Sequence, residues 1–212
     1  MKFKNFRYIY PPRPKNAVNP DELTFWDNRQ MIAQPKLNGS NCLIFTDGDK
    51  QFVMNRHNGR LTNFQLSKDE INSIYKGKKG EWLVLNGEYL NKNKQDESRV
   101  SFNHKFVIFD ILVFKSDYLV GKTFQERIEI LDDIYGKEES EKDYLYKISD
   151  NIYRVKSYQT DFKRVYDDLV EIDMIEGLVL KRKNAKLEIG NTENNNTRSQ
   201  LKFRKPTKNY KY

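Results

Sequence analysis

Residues 106–114 read Phe-Val-Ile-Phe-Asp-Ile-Leu-Val-Phe, apolar at every position except Asp110. A run of that kind has no solvated face, so it predicts a buried strand, and Trp82 to Leu85 predicts another. An acid in such a run is expensive unless paired. Asp110 must therefore point into a polar cleft or cap a network of partners.

The remaining apolar signals are short and scattered. Ile32, Leu43-Ile44-Phe45, Gln51-Phe52-Val53-Met54 and Val179-Leu180 read as strands, with Asp47-Gly48-Asp49 turning between the second and third. Asn19-Pro20-Asp21-Glu22 predicts a short helix start, with a capping Asn, Pro at the first helical position and acids against the dipole. Ser67-Lys68-Asp69-Glu70 and Thr123-Phe124-Gln125-Glu126 are capping boxes, the second opening a helix that runs to Gly136. Phe162, Val165, Tyr166, Leu169 and Val170 mark a second amphipathic helix. Four of the six prolines fall in residues 11–20, a braced and irregular stretch. Lys137 to Asp143 and Asn191 to Gln200 read as solvated loops. Without regular βα alternation the class is α+β rather than doubly wound.

At 212 residues the chain is expected to be a single domain spanning residues 1–212. Only 37% of it is hydrophobic, but 13 Tyr and 13 Phe supply large areas for burial. A net charge of +8 favours a polyanionic partner such as nucleic acid. The single cysteine, Cys42, forms no internal disulfide, and no run approaches membrane-spanning length. A cytoplasmic, intracellular protein is the expectation, with no membrane partner.

Six short polar runs follow one another in order. They are Lys36-Leu37-Asn38-Gly39-Ser40-Asn41, Arg56-His57-Asn58-Gly59, Asn86-Gly87-Glu88, Phe109-Asp110-Ile111, Glu176-Gly177-Leu178-Val179-Leu180-Lys181 and Leu201-Lys202-Phe203-Arg204. As an ordered set they resemble the motif series of the covalent nucleotidyltransferases, the superfamily of ATP-dependent DNA ligases, RNA ligases and capping guanylyltransferases. The resemblance implies two antiparallel sheets flanked by helices, with a nucleotide cleft between them. The superfamily usually carries K-x-D-G, and DNA ligases continue to an arginine. Here Asn38 replaces the aspartate and Asn41 ends the run, which looks more like bacteriophage and kinetoplastid RNA ligases.

What the resemblance implies for each residue is specific. Lys36 is the nucleophile that carries AMP from a loop leading into a strand; an amine attacks only when unprotonated, so burial or neighbouring cations must favour the free amine. Asn38, Glu88, Phe109, Lys181, Lys202 and Arg204 belong to the nucleotide site. Glu88, placed after a strand, lies near the ribose, Phe109 stacks on adenine, and Lys202 and Arg204 hold phosphates from one strand face while Phe203 packs on the other. Family members usually end K-x-K, so either Arg204 or Lys205 takes the second basic role. Arg56 contacts phosphate from a tight turn in which Gly59 is free to adopt positive φ, and His57 is a surface residue. Glu176 holds Mg²⁺, or Mn²⁺ in its place.

The activity implied is that of an ATP-dependent RNA ligase joining 5′-phosphate and 3′-hydroxyl ends through a lysyl-N–AMP. A small DNA ligase is the runner-up, followed by a guanylyltransferase and a binding module without catalysis. Nucleic acid, RNA ahead of DNA, is the partner, and the protein is expected to be a monomer. The chain stops shortly after Lys202, so no C-terminal OB module is expected within it; a separate accessory domain or subunit is then the alternative to a minimal enzyme.

Overall fold

The computed structural model describes residues 8–91, 93–138, 142–190 and 195–206. In chain order the elements are β1 (Arg13–Val18), a 3-10 turn (Pro20–Glu22), α1 (Leu23–Trp26), β2 (Met31–Leu37), β3 (Ser40–Thr46), β4 (Gln51–Asn55), α2 (Lys68–Ser73), β5 (Leu83–Leu90), β6 (Lys105–Phe114), β7 (Asp117–Tyr118), α3 (Phe124–Tyr135), β8 (Leu145–Lys147), β9 (Ile152–Val155), α4 (Phe162–Leu169), β10 (Ile175–Arg182) and β11 (Asn196–Arg204). Two sheets organise them. A four-stranded sheet has the order β1-β11-β10-β2, and a seven-stranded one runs β4-β3-β5-β6-β9-β8 with β7 added to β6. The α+β class is as expected.

The sheets are mixed, which corrects the expectation of purely antiparallel ones: β1 lies parallel to β11 and β6 parallel to β9. A parallel neighbour needs a crossover long enough to return the chain to the same end, and α3 lies within the connection from β6 to β9. The connection from β1 to β11 is most of the molecule.

The local signals behave as their chemistry dictates. Thr123 and Glu126 cap each other's backbone at α3, and Ser67 and Glu70 do the same at α2; each cap is worth about 1 kcal/mol. The Asn19 side chain accepts from Asp21 N, although the helix it opens is a 3-10 turn passing into the four-residue α1. On α4, Phe162, Val165, Tyr166 and Leu169 are all buried, as their i, i+3, i+4, i+7 spacing requires.

The core has two parts. One packs β3, β5 and much of β6 with α2 and α3. The other packs Met31, Ala33 and Leu37 of β2 and Leu178, Leu180, Leu201 and Phe203 of β10 and β11 against α4. Alternation along β2, β10 and β11 then turns Gln34, Lys36, Val179, Lys181, Lys202 and Arg204 to the opposite face.

Four local expectations are corrected. The Asn/Thr-rich stretch is not a loop throughout: β11 begins at Asn196, where Arg13 and Pro14 of β1 pair with Asn196 and Thr197. The first β10 partner of β11 is Gln200, so residues 196–199 extend past that neighbour and keep polar side chains; residues 191–194 lie outside the described residues. Lys142 is buried rather than solvated, because its ammonium bonds Asp96 at 2.7 Å and Glu97 at 3.4 Å, while residues 139–141 lie outside the description. In the turn after β4, Asn58 rather than Gly59 takes positive φ, at 62°; asparagine tolerates that region. Finally, β5 extends through Asn86-Gly87-Glu88 instead of ending before them. Gly87 makes this possible, since a Cβ there would sit 2.5 Å from the Phe106 ring.

Candidate active site

Lys36 is the next-to-last residue of β2, not part of a loop. β2 is an edge strand of its sheet, which is why Pro35 is tolerated beside the lysine. In the β10 pairing, Lys36 lies opposite Gly177, and Gly177 lies opposite Arg204 on β11. The ladder slips by one residue between Ile175 and Gly177, a bulge that re-aims the backbone next to Glu176. Gly177 has φ 139°, and a Cβ on it would meet the Phe203 carbonyl oxygen at 1.9 Å. Only glycine fits there.

The Lys36 Nζ donates to the Glu176 carboxylate. Arg204 Nη2 stands 3.4 Å from the same carboxylate oxygen. On the facing wall, Glu88 accepts a hydrogen bond from Gly39 N at 3.1 Å, so the turn following Lys36 is tied to β5. A Cβ on Gly39 would lie 2.5 Å from the Tyr89 carbonyl oxygen, so glycine is needed for that approach as well. Burial pushes the Glu88 carboxyl up to about 7, with Lys36 pulling the other way.

These groups line one cleft of about 660 Å³ formed by residues of both sheets. Of the nine residues singled out from sequence, Lys36, Arg56, Glu88, Phe109, Glu176, Lys181, Lys202 and Arg204 lie on its wall, and Asn38 does not. Asn38 instead donates its backbone N–H to the Met174 carbonyl at 2.9 Å, securing the turn. Arg56 is exposed and its Nε donates to His57 Nε2 at 3.0 Å. Arg204, not Lys205, reaches the cleft; Lys205 bonds the Val170 and Ile172 carbonyls just past α4, a favourable place for a cation.

Asp110 faces a network rather than the cleft. Arg127 of α3 clasps it with two bonds of 2.8 and 2.9 Å. Burial raises its carboxyl, but Arg127 and then Lys181 outweigh that and hold it below the usual carboxylate range. The Lys181 ammonium lies between the Phe109 and Phe124 rings, 4.7 and 4.5 Å from their centroids. Burial brings its pKa down to about 8. Lys202 is lowered too, first by burial and then by Arg204, Lys36, Arg13 and Arg56.

Several wall residues went unnoticed in the sequence. Gln34 bonds the Phe109 carbonyl at 3.3 Å and Ser157 Oγ at 3.1 Å, while its own Oε1 is buried without a partner. Its position two residues before Lys36 in a strand is the signal that could have found it. Arg13 and Lys15 also line the cleft, and no local signal marks them. Seven basic side chains thus face two carboxylates, a positive wall suited to a polyanion.

The fold and this cleft are those of a domain of the nucleotidyltransferase superfamily. The chain belongs to the ATP dependent DNA ligase domain family, whose model matches residues 16–198. Its fold is similar to a mycobacterial DNA ligase D complexed with ATP and MES, at TM-score 0.66 and 14% identity, covering 94% of this chain and 62% of that one. It is also similar to the ligase domain of M. tuberculosis LigD, at TM-score 0.64 and 13% identity over 92% and 60% of the two chains. A Lig E DNA ligase follows at TM-score 0.52 and 15% identity, over 93% and 70%. The chain therefore spans little more than three fifths of the mycobacterial ligase chains. No curated protein matches it in sequence. Among the described residues no helix is long and apolar enough to cross a membrane.

Proposed function

We propose that the protein is an ATP-dependent RNA ligase that joins 5′-phosphate and 3′-hydroxyl ends through an AMP carried on Lys36. The observation that carries this reading is the Lys36–Glu176 contact inside a cleft whose wall is strongly basic. The amine must lose a proton to attack, and the Glu176 carboxylate is the base in contact with it. The Nζ–Pα bond forms, the bridging Pα–O bond breaks, and its electron pair leaves with pyrophosphate. AMP then passes to the 5′-phosphate of a strand, and a 3′-hydroxyl displaces it to close the phosphodiester. Every step concentrates negative charge near phosphorus, so positioning and preorganised cations supply most of the catalysis.

In this reading Phe109 stacks on the base and the free Gln34 Oε1 accepts from its exocyclic amine. Glu88 accepts from a ribose hydroxyl. Lys202 and Arg204 hold the phosphates, and Arg56 at the rim binds the phosphate of the strand. Among the described residues no three His, Cys, Asp or Glu side chains cluster as a metal cage. Mg²⁺ suits the site all the same, because it commonly takes one or two carboxylates and completes its shell with phosphate oxygens and water. Glu176 is the residue that would hold it, or Mn²⁺, and the ion would neutralise phosphate charge.

Asn41 supports RNA over DNA. It stands where DNA ligases carry arginine; its amide donates to Asn86 Oδ1 and the Gly87 carbonyl, and its own Oδ1 is buried in the cleft wall without a partner. An acceptor held in that way suits a sugar hydroxyl. The family match supports a second reading, the sealing of DNA nicks. In this reading the protein acts as a monomer in the cytoplasm, either as a minimal enzyme or together with a separate accessory domain or subunit. Incubation with α-labelled ATP and Mg²⁺ followed by denaturing electrophoresis tests the chemistry. Pre-adenylated donors offered to matched RNA and DNA acceptors test the substrate; equal or better joining of all-DNA ends promotes the second reading.

A further inference from the structure

We infer that Ser157, a residue outside the six motif runs, is a positioning residue for base selection. It holds the Gln34 amide with Oε1 toward the base, so that a 6-amino purine is accepted and a 6-oxo purine is refused. The inference rests on the reading of the cleft as a nucleotide site, and deepens it by naming a residue that enforces the base chemistry.

The register supplies the first argument. Lys36 is level with Gly177 and Arg204, and Gln34 is level with Val179 and Lys202. The two levels are one strand repeat apart, about 7 Å. With the α-phosphate at Lys36, the Gln34 level lies toward the base. Phe109 belongs to this level too, because its carbonyl accepts from Gln34 Nε2 at 3.3 Å.

The surroundings of the amide supply the second. Phe109 is the extra residue of a bulge, since Asn86 pairs with Asp110 and Gly87 with Ile108. The β5 ladder therefore leaves Phe109 unpaired, and its carbonyl reaches across to the other sheet. A carbonyl oxygen can only accept, so the amide must turn Nε2 toward it. Ser157 Oγ accepts from the same nitrogen at 3.1 Å. With Nε2 held by two acceptors, Oε1 faces away from them, and it is buried without a partner. Reversing the amide would set Oε1 against the Phe109 carbonyl.

The placement of Ser157 supplies the third. Gln34 is on the cleft wall and Ser157 is behind it. The next residue, Tyr158, exchanges two backbone hydrogen bonds of 2.9 Å with Ala33, the neighbour of Gln34. The segment after β9 is thus tied to β2 where the Ser157 hydroxyl has to lie. Ser157 acts through Gln34 and does not touch the nucleotide.

A buried acceptor with no donor is costly, and the exocyclic amine of a 6-amino purine supplies the donor. A 6-oxo purine would set oxygen against oxygen at an amide that cannot turn over.

The test compares wild type, Ser157→Ala and Ser157→Thr as full chains, with a thermal melt for each. Three nucleotides are used: ATP, the 6-oxo nucleotide ITP, and purine riboside triphosphate, which has only hydrogen at C6. Affinity is read by calorimetric titration, and kcat and KM by labelling. Wild type should favour ATP over ITP by about a hundredfold or more. Ser157→Ala should lose about tenfold for ATP, mainly in KM, while ITP and purine riboside triphosphate change by less than about threefold. Ser157→Thr, which keeps the hydroxyl, should restore the preference. Wild type that binds ATP and ITP alike overturns the inference. So does an unchanged ratio in Ser157→Ala, or an equal loss for all three nucleotides, which would make Ser157 merely structural. A wild-type chain that discriminates in titration but takes up no label overturns the reading of Lys36 alone.

Discussion

Lys36 and Glu176 are 140 residues apart in sequence, yet the ammonium of one bonds the carboxylate of the other across the β2–β10 pair. In the proposed reaction the contact gives Glu176 a double role. Glu176 holds the amine in place and is also the nearest acceptor for its proton. In that reaction the same carboxylate would be available to a divalent cation once ATP is bound.

Lys36→Ala should abolish labelling by α-labelled ATP while the protein stays folded. Lys36 projects into the cleft from an edge strand, so its removal takes little packing away. Denaturing electrophoresis and a thermal melt check the two halves; a variant that still labels would remove Lys36 from the mechanism.

Glu176→Ala and Lys202→Ala should each slow adenylation by about a hundredfold or more at saturating ATP and Mg²⁺, the scale on which loss of a preorganised charged group acts. Near-normal rates in both would place the chemistry elsewhere.

Phe109→Leu keeps most of the apolar volume and removes the flat ring. If the ring stacks on adenine, ATP affinity should weaken by about 1–3 kcal/mol with little change in the melting temperature. If the ring serves only to pack and to face the Lys181 ammonium, stability should fall and affinity hold. Calorimetric titration beside a melt separates these outcomes.

Gly177→Ala should be among the most damaging single-methyl changes in the chain. The new Cβ would overlap the Phe203 carbonyl at 1.9 Å, on a backbone at φ 139° that L-residues avoid. A loss of about 3 kcal/mol or more is expected in denaturant unfolding. A variant of wild-type stability would mean that the bulge in β10 can relax.

Lys181 makes stability depend on alkaline pH. Burial lowers its folded pKa from the usual 10.5 to about 8. Between those values the unfolded chain binds more protons, so stability should rise with pH through this window and be lowest below pH 8. The full gain is about 3 kcal/mol. Half-buried tyrosines such as Tyr135, raised by desolvation, act in the opposite sense above about pH 10. The comparison is therefore best made between pH 8 and about 9.5, as wild type against Lys181→Met; wild type should gain stability with pH relative to the variant, a difference that removes the shared contributions of Cys42 and Lys202.

Much of this protein was legible locally. The apolar run around Asp110, the capping boxes at Thr123 and Ser67 and the spacing on α4 each depend on contacts within a few residues, and each element formed where those contacts demand. The six motif runs also come together in space, since eight of the nine residues drawn from them line one cleft. Period-two alternation even set which side of β11 Lys202 and Arg204 would share.

What remained invisible was everything set by partners far along the chain. The carboxylate of Asp110 had two open destinations, and only the packing of α3 on β6 brought Arg127 to it. The choice between Arg204 and Lys205 depended on where α4 ends, because the Val170 and Ile172 carbonyls just past it take Lys205 away from the cleft. Arg13 had no local mark, since its place follows from the parallel pairing of β1 with a strand that starts at Asn196. Sequence alone determined the residue types, the strand faces and the order of the chemistry. The tertiary structure decided which charges meet, because ion pairs and buried cations depend on distances that only the closed sheets establish.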